Sequence, residues 1–236
     1  MSSRTLTILN ATACVLCTIV AITSVAVTRG TPMIEFQLNN ETYAADPGGM
    51  VAAFLFVSAA EHSGVLWFSG YYDRSLYTIS THRWISYAIS APLMIVIINA
   101  SIGILNIYTN IFAASITTTV IATGYLYELD RLYAWKCWKE ILACGFLYLT
   151  VLFTAIWYQF STFDAPPIVS AIILCMSICY WSFGAVPLVS VLVNERAPYV
   201  GSETAYVCLS ITSKLILAGL FIARYVMLKS EAESDP

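Results

Sequence analysis

The stretch AYVCLSITSKLILAGLFIARYV, residues 205–226, is apolar over almost its whole length and carries Lys214 near its middle. A helix rises about 1.5 Å per residue, so this stretch is long enough to cross the roughly 30 Å hydrocarbon core of a bilayer. A charged side chain at that depth is costly, and intramembrane lysines are therefore candidate functional residues. The stretch predicts a membrane-spanning helix that carries a buried amine.

The rest of the 236-residue chain has the same apolar character. Hydrophobic residues make up 59% of it and charged residues 11%, whereas soluble domains have about 45–50% and about 25%. Apolar segments long enough to span a bilayer cover residues 5–28, 50–72, 83–106, 108–127, 140–161, 167–193 and 202–228. We therefore expect an all-α integral membrane protein, in which residues 1–236 form a single domain with a bundle of seven transmembrane helices.

The basic residues indicate how this bundle is oriented. One side carries Arg4, Arg74, Arg83, Arg131, Lys136, Lys139 and Arg196, and the other carries Arg29, Arg224 and Lys229. Cytoplasmic loops are enriched in Lys and Arg, so the first side is predicted to be cytoplasmic. The N-terminus would then lie in the cytoplasm and the C-terminus outside. The long polar first loop, residues 29–49, would be extracellular, with room for a small hairpin.

The seven cysteines and the interfacial tryptophans indicate neither a metal site nor a nucleic-acid site. No zinc-type or redox-type spacing occurs among the cysteines, so we expect reduced packing residues and no bound metal. Trp135, Trp138 and the basic residues near them are typical of a membrane-interface belt rather than of a surface that binds nucleic acid.

Three ionisable residues are predicted to lie deep in the membrane: Glu61, His62 and Lys214. Glu61 and Lys214 stand near the middle of their segments, at similar depth. They could form a structural ion pair, as in a membrane transporter. Alternatively, desolvation favours the neutral form of the Lys214 amine, which can form a Schiff base with an aldehyde. Residue types alone leave both interpretations open.

One face of the last segment carries further polar groups. Glu203, Tyr206, Ser210 and Lys214 follow at spacings of three, four and four residues, which places them in one stripe on a helix. Glu203 would stand about 16 Å from Lys214 along the axis, at the cytoplasmic edge of the membrane. Glu195 precedes it, at the cytoplasmic end of the sixth segment. This pattern suits the movement of a proton between Lys214 and the cytoplasm.

The motif Tyr206-x-x-Leu209-Ser210-x-x-x-Lys214 resembles the last helix of microbial rhodopsins, in which the lysine binds retinal. Most microbial rhodopsins have Asp where this chain has Ser210. A serine there, together with a cytoplasmic N-terminus, is similar to heliorhodopsins, the branch with inverted topology, which includes viral members. The resemblance implies all-trans retinal bound covalently to Lys214 and a homodimer.

Other segments carry the same resemblance. HRWISYAISAPLMIVII, residues 82–98, is similar to the third helix of heliorhodopsins, and Ser58-x-x-x-His62 is similar to their Ser/His pair. The resemblance implies a retinal pocket to which YWSFG, residues 180–184, contributes an aromatic wall. The residues expected to bind the cofactor are Lys214, Ser210, Tyr206, Tyr87, Ser90, Met94, Trp181, Phe183, Ser58 and Arg83.

The third segment departs from the family pattern at one position. Heliorhodopsins have a Glu counterion three residues after the Arg, whereas this chain has Ser86 after Arg83. A protonated Schiff base in a low dielectric needs a nearby anion, or its pKa falls. Glu61 is our first candidate for that anion. A bound anion such as chloride, held by Arg83, Ser86 and Ser210, is the second, and an unprotonated base is the third.

The expected function is that of a light-activated membrane protein rather than an enzyme. Glu61, His62, Ser86, Glu203 and Glu195 would form its proton and counterion network. Some viral heliorhodopsins conduct protons passively, so the first hypothesis is light-gated, channel-like transport of protons or small ions. The second is a photosensory receptor without transport. The third, independent of retinal, is a transporter with a Glu61–Lys214 pair.

Overall fold

The computed structural model describes residues 3–162 and 166–234, and the description that follows concerns these residues. They form long helices, one short helix and one hairpin. In chain order the elements are α1 Ser3–Val27, β1 Ile34–Leu38, β2 Glu41–Ala45, α2 Pro47–Trp67, α3 Ser69–Ser75, α4 Thr81–Ser101, α5 Ile107–Tyr133, α6 Trp138–Ser161, α7 Pro167–Leu192 and α8 Val200–Ser234.

Each of the seven predicted segments corresponds to one long helix. Six of these helices (α1, α2, α4, α6, α7 and α8) are long and apolar enough to cross a membrane by length and composition. The remaining long helix, α5, has 27 residues and is more polar, and it packs between α4 and α6. A bundle of seven long helices therefore fits the structure, and α3 is a short addition to it.

The helix ends differ from the predicted segments at four main places. Helix α4 ends at Ser101, five residues before the predicted residue 106. The predicted segment 50–72 is two helices, because the backbone leaves the helical region at Phe68, with φ −112° and ψ 45°. Helix α5 continues to Tyr133, beyond the predicted residue 127, and α8 continues to Ser234. An apolar run marks the hydrocarbon core, whereas backbone hydrogen bonding can continue into polar residues beyond it.

The long first loop contains a small hairpin, as its length allowed. Strands β1 and β2 pair antiparallel from Ile34↔Ala45 to Leu38↔Glu41. Asn39 and Asn40 connect them with positive φ angles of 49° and 67°, as expected of a tight two-residue turn. Gln37 N donates to Leu105 O at 2.9 Å, which fastens the hairpin to the loop between α4 and α5.

Contacts near the two termini define the two ends of the bundle. At the first end, Leu6 near the N-terminus packs with Val65, Tyr72 and Leu76, and with Val200 at the start of α8. At the second end, Lys229 Nζ near the end of α8 donates to Arg29 O at 3.2 Å. The N-terminus and the end of α8 therefore lie at opposite ends, as an odd number of crossings requires.

Candidate functional site

Lys214 lies inside the bundle on α8, with only 3% of the residue exposed. Its Nζ donates to Ser210 Oγ, one turn earlier, at 2.7 Å, and stands 5.1 Å from the centre of the Tyr87 ring. The predicted proximity of Ser210 and Lys214 is thus present. Neither of these two contacts, a hydroxyl acceptor and an aromatic face, carries a negative charge that would balance a charged amine.

A mainly apolar cavity extends from Lys214 between α4, α5, α6, α7 and α8. The residues expected to bind the cofactor that line it are Tyr87, Ser90, Met94, Phe183, Tyr206 and Lys214. Tyr180, from the predicted aromatic stretch 180–184, lines it as well. Its other polar and aromatic lining residues, which the sequence did not single out, are Trp84, Thr117, Thr123, Phe146 and Ser213. The amine is thus placed at an aromatic, otherwise largely apolar chamber.

Trp181 does not line this cavity, contrary to expectation. It is 38% exposed and stacks on Phe146 with the ring centres 5.7 Å apart. Tyr180, Phe183 and Gly184 of the same predicted stretch do line the cavity. They follow a spacing of three and four residues along one helical face, and Trp181, one residue after Tyr180, is rotated about 100° away from that face.

Three other expected cofactor residues also lie outside the lining: Ser210, whose hydroxyl accepts from Lys214 Nζ, Ser58 and Arg83. Ser58 is fully buried, and its hydroxyl donates to Phe54 O at 3.2 Å within its own helix. Arg83 is buried as well, and both Glu128 and Glu203 accept hydrogen bonds from its guanidinium. These carboxylates balance the charge of Arg83 through its two terminal nitrogens, whereas its Nε has no hydrogen-bond partner within the described residues.

Arg83 lies at the centre of a buried charged cluster near the first end of the bundle. Glu128 also accepts from Trp84 Nε1 at 2.8 Å, and Glu203 accepts from Ser80 Oγ at 3.1 Å and from Tyr72 Oη at 3.3 Å. Burial raises the pKa of Tyr72, which lies outside the spans, to about 12, so this phenol keeps its proton at neutral pH. The cluster joins α3, α4, α5 and α8.

The position of Glu203 corrects one expectation and shows what the sequence left out. It is 4% exposed and paired with Arg83, so it is a buried, ion-paired acid rather than one open to solvent. Glu128 was missed because the predicted segment stopped at residue 127. Thr117, Gly124 and Glu128 are seven and four residues apart, so helical periodicity continued past residue 127 would have placed Glu128 on the inner face.

Around Lys214, three buried polar atoms have no hydrogen-bond partner among the described residues: Glu61 Oε2, His62 Nε2 and Ser86 Oγ. Glu61 is close enough to Lys214 and to Ser86 to interact with both. It forms no salt bridge with Lys214, since the ion pairs found in the described part of the chain all involve Arg83 or Arg131. The direct structural ion pair considered for Glu61 and Lys214 is therefore not observed.

Glu195 lies in the loop between α7 and α8 and joins those helices. It accepts hydrogen bonds from Ser190 Oγ at 2.9 Å, from Ser202 N at 3.0 Å and from Ser202 Oγ. Burial acts to raise the pKa of Glu195, but these hydrogen bonds and the nearby Arg131 outweigh it and hold the pKa below its usual range. Glu195 is thus a half-buried, hydrogen-bonded carboxylate.

The cavity fits a long apolar ligand that carries one group reactive toward an amine. Its walls are aromatic and aliphatic side chains, and Lys214 is its basic residue. Two glycines of the lining leave room for rings. A Cβ at Gly184 would lie 3.0 Å from Phe146 Cε1, and one at Gly124 would overlap the Trp84 ring. Retinal, an apolar polyene aldehyde, has these properties.

Solved structures with this fold are microbial rhodopsins. The rhodopsin of Exiguobacterium sibiricum has a TM-score of 0.74 at 12% identity, covering 99% of this chain and 100% of that one. Halorhodopsin, described as a light-driven chloride pump, has a TM-score of 0.71 at 14% identity, covering 96% of each chain. Cyanorhodopsin from the cyanobacterium Tolypothrix has a TM-score of 0.66 at 12% identity, covering 99% of this chain and 100% of that one.

At these identities the solved structures show the fold alone. No curated protein matches the chain. The family comparison is more specific, because the heliorhodopsin profile matches residues 4–224. That match includes the helix that carries Lys214, the third-helix motif with Arg83 and the hairpin loop. Because the match extends over nearly all of its 236 residues, the chain belongs to the heliorhodopsin family.

Proposed function

We propose that this protein is a light-activated, non-enzymatic membrane protein that binds all-trans retinal covalently at Lys214. The observation that carries the proposal is the buried Lys214 amine at an apolar, aromatic cavity. When bound, retinal supplies light absorption and isomerisation. The protein's own contribution is to exclude water, to hold the polyene between rings such as Tyr87 and Phe183, and to control the proton on the Lys214 nitrogen.

In this proposal, Glu61 is the carboxylate that balances a positive charge on the Lys214 nitrogen. Ser210 contacts that nitrogen and Ser86 lies near Glu61, but both are neutral, and the Arg83 cluster already contains its own positive charge. Glu61 takes part in none of the ion pairs of the described structure, so as a carboxylate it would be available to a positive charge on the Lys214 nitrogen. An opposite charge nearby keeps a buried amine derivative protonated.

We propose further that protons move passively between Lys214 and the first end of the bundle, which we place in the cytoplasm. Ser210 and Glu203 lie on that side of Lys214 on the same helix, and Glu203 is joined to Arg83, Ser80 and Tyr72. On the other side, residues 215–223 of α8 are all apolar or glycine. A homodimer in the lipid bilayer remains part of the proposal.

The proposal is tested by replacing Lys214 with Ala and adding all-trans retinal to the purified protein. We expect the wild type to form a pigment that hydroxylamine bleaches in the light, and Lys214→Ala to form none. Lys229→Ala, at the far end of the same helix, is the matched control and should retain the pigment. A pigment in Lys214→Ala that matches the wild type would overturn the assignment of this lysine.

The transport step is tested separately, by light-evoked current under voltage clamp. We expect a current in the wild type, and Glu203→Gln to change its size or its decay while leaving the dark spectrum nearly unchanged, because Glu203 is about 16 Å from Lys214 along α8. Glu140→Gln, at the exposed start of α6, is the control. A pigment that shows no current in any variant would favour the photosensory receptor instead.

A further inference from the structure

Asn10 on α1 makes two hydrogen bonds that together determine how its amide is oriented. The residue is 1% exposed. Its Nδ2 donates to Leu6 O at 2.8 Å, one turn earlier, and its Oδ1 stands 2.7 Å from His62 Nδ1 on α2. A carbonyl oxygen only accepts, so the atom facing Leu6 O must be the amide nitrogen. The atom facing His62 is therefore the amide oxygen, which can only accept.

This orientation determines which imidazole nitrogen of His62 carries the proton. An acceptor at 2.7 Å from Nδ1 requires that Nδ1 be protonated, since two lone pairs at that distance would repel. In a neutral imidazole the other nitrogen, Nε2, then has no proton and is an acceptor. His62 is 1% exposed, and its Nε2 has no hydrogen-bond partner within the described residues. The structure thus holds a buried basic nitrogen on α2.

We propose that Asn10 is a positioning residue that fixes His62 as the Nδ1–H tautomer, so that Nε2 is the nitrogen able to take up a proton. The charged and titratable groups that act on His62 are Lys214 on α8 and His82 on α4, and Glu61 is its neighbour on α2. The functional consequence rests on the function proposed above, in which a proton leaves the Lys214 nitrogen.

The same hydrogen bond stabilises the product of proton uptake. When Nε2 gains a proton, its lone pair forms the new N–H bond and the ring becomes an imidazolium with both nitrogens protonated. The Nδ1–H continues to donate to Asn10 Oδ1, and a hydrogen bond from a charged donor is stronger than one from a neutral donor. The Asn10 amide needs no rotation, so the acceptor is organised before the proton arrives.

Asn10 also lies beside Tyr72, whose hydroxyl donates to Glu203 Oε1 at 3.3 Å. It therefore stands between the histidine near Lys214 and the buried cluster near the first end of the bundle. Packing holds Asn10 in this position, because Leu6, one turn earlier on α1, packs with Tyr72 and Val65. Movement of α1 would disturb both the tautomer of His62 and the surroundings of Tyr72.

The test is ¹⁵N NMR of the histidine side chains in the dark protein without retinal, at neutral pH. The chain has two histidines, so in the His82→Gln variant the only remaining histidine signals are those of His62, which assigns them. We expect a protonated Nδ1 and an unprotonated Nε2 in the wild type. Asn10→Leu, which removes the acceptor, should lose this single tautomer and gain Nε2–H, whereas Asn10→Asp, which keeps an acceptor, should retain a protonated Nδ1.

Thr18→Val is the matched control on α1, because the Thr18 hydroxyl bonds only to Cys14 O within that helix among the described contacts. It should leave the His62 signals unchanged. Either a wild-type His62 with Nε2–H, or an Asn10→Leu spectrum identical to the wild type, overturns the proposal. The wild-type measurement decides even if Asn10→Leu does not fold. The NMR samples contain no retinal. A negative result for the His62 tautomer is therefore distinguishable from a failure of Lys214 to form a pigment.

Discussion

At the scale of single residues, Ser86 is the departure from the family pattern that bears most on Lys214. Its hydroxyl is neutral, buried and without a partner in the described structure, at the position where the resemblance implies a glutamate. Glu61, on the neighbouring helix α2, is the acid that acts on both Ser86 and Lys214. In the proposed function, the negative charge near the Lys214 nitrogen is therefore carried on a different helix from the one the family pattern implies.

This relocation predicts that Glu61→Gln shifts the absorption of the retinal-loaded protein strongly toward the violet. Without the carboxylate, a positive charge on the Lys214 nitrogen is uncompensated in a low dielectric, and its proton is lost more readily. Absorption spectra recorded across a pH series would show the proton loss at lower pH than in the wild type. Exchange of chloride for a large anion should do little in the wild type.

Two further variants make the result specific. Glu41→Gln, on the exposed hairpin, changes the net charge equally and should leave the spectrum unchanged. Ser86→Glu in the Glu61→Gln background returns a carboxylate to the third-helix position and should restore visible absorption. A spectrum that follows the halide concentration, and is insensitive to Glu61→Gln, would identify a bound anion as the counterion.

At the scale of elements, α4 and α5 are joined by Trp84. Its indole Nε1 donates to Glu128 at 2.8 Å, and its ring packs T-shaped on Tyr206 with the centres 5.7 Å apart. The ring lies so close to Gly124 that a Cβ at that position would overlap it. Trp84 therefore forms part of the cavity wall and bonds to the buried charged cluster. Its ring also sets how closely α4 and α5 approach each other.

Gly124→Ala is accordingly expected to destabilise the protein by about 1–3 kcal/mol, the usual cost of overpacking, and to reduce the uptake of retinal. The added methyl group would displace the Trp84 ring into the cavity or separate α4 from α5. Thermal unfolding of the purified protein and the yield of pigment at fixed retinal concentration measure the two effects.

Gly64→Ala is the matched control, because a Cβ at Gly64 would meet nothing within 4 Å. Alanine favours the helix by roughly 1 kcal/mol relative to glycine, so this variant should be as stable as the wild type or more so. Equal stability and equal pigment yield in the two alanine variants would contradict the packing role of Gly124.

At the scale of the whole molecule, the bundle separates two ends with different charge. The end near Leu6 and Tyr72 carries the α5–α6 loop with Lys136 and the α7–α8 loop with Arg196. The other end carries the hairpin and the last turns of α8. Positive residues favour the cytoplasmic side, so the first end is expected to face the cytoplasm.

The orientation predicts that a tag at the C-terminus is accessible on intact cells and that a tag at the N-terminus becomes accessible only after permeabilisation. Antibody labelling of the two tagged forms measures this directly. A third tag in the hairpin turn at residues 39–40 should behave like the C-terminal one. Labelling of the N-terminal tag alone on intact cells would reverse the orientation and the direction assigned to the proton path.

The sequence by itself determined the long helices, the hairpin loop and the importance of Lys214. Hydropathy and helical spacing are local properties, so the apolar runs and the stripe from Glu203 to Lys214 could be identified without knowing any neighbouring helix. The family motif on α8 is also local. Together with the motifs of the second and third segments it predicted a heliorhodopsin, which the match over residues 4–224 confirms.

Only the tertiary structure decided which polar groups are partners. Arg83 meets Glu128 and Glu203 from two other helices, and Asn10 on α1 meets His62 on α2. The rotation of α7 decided that Tyr180 rather than Trp181 faces the cavity. These pairings depend on how each helix is rotated and how closely it packs against the next, and a one-residue change in phase turns a side chain by about 100°. Sequence periodicity defines a face, but the neighbouring helix determines what that face contacts.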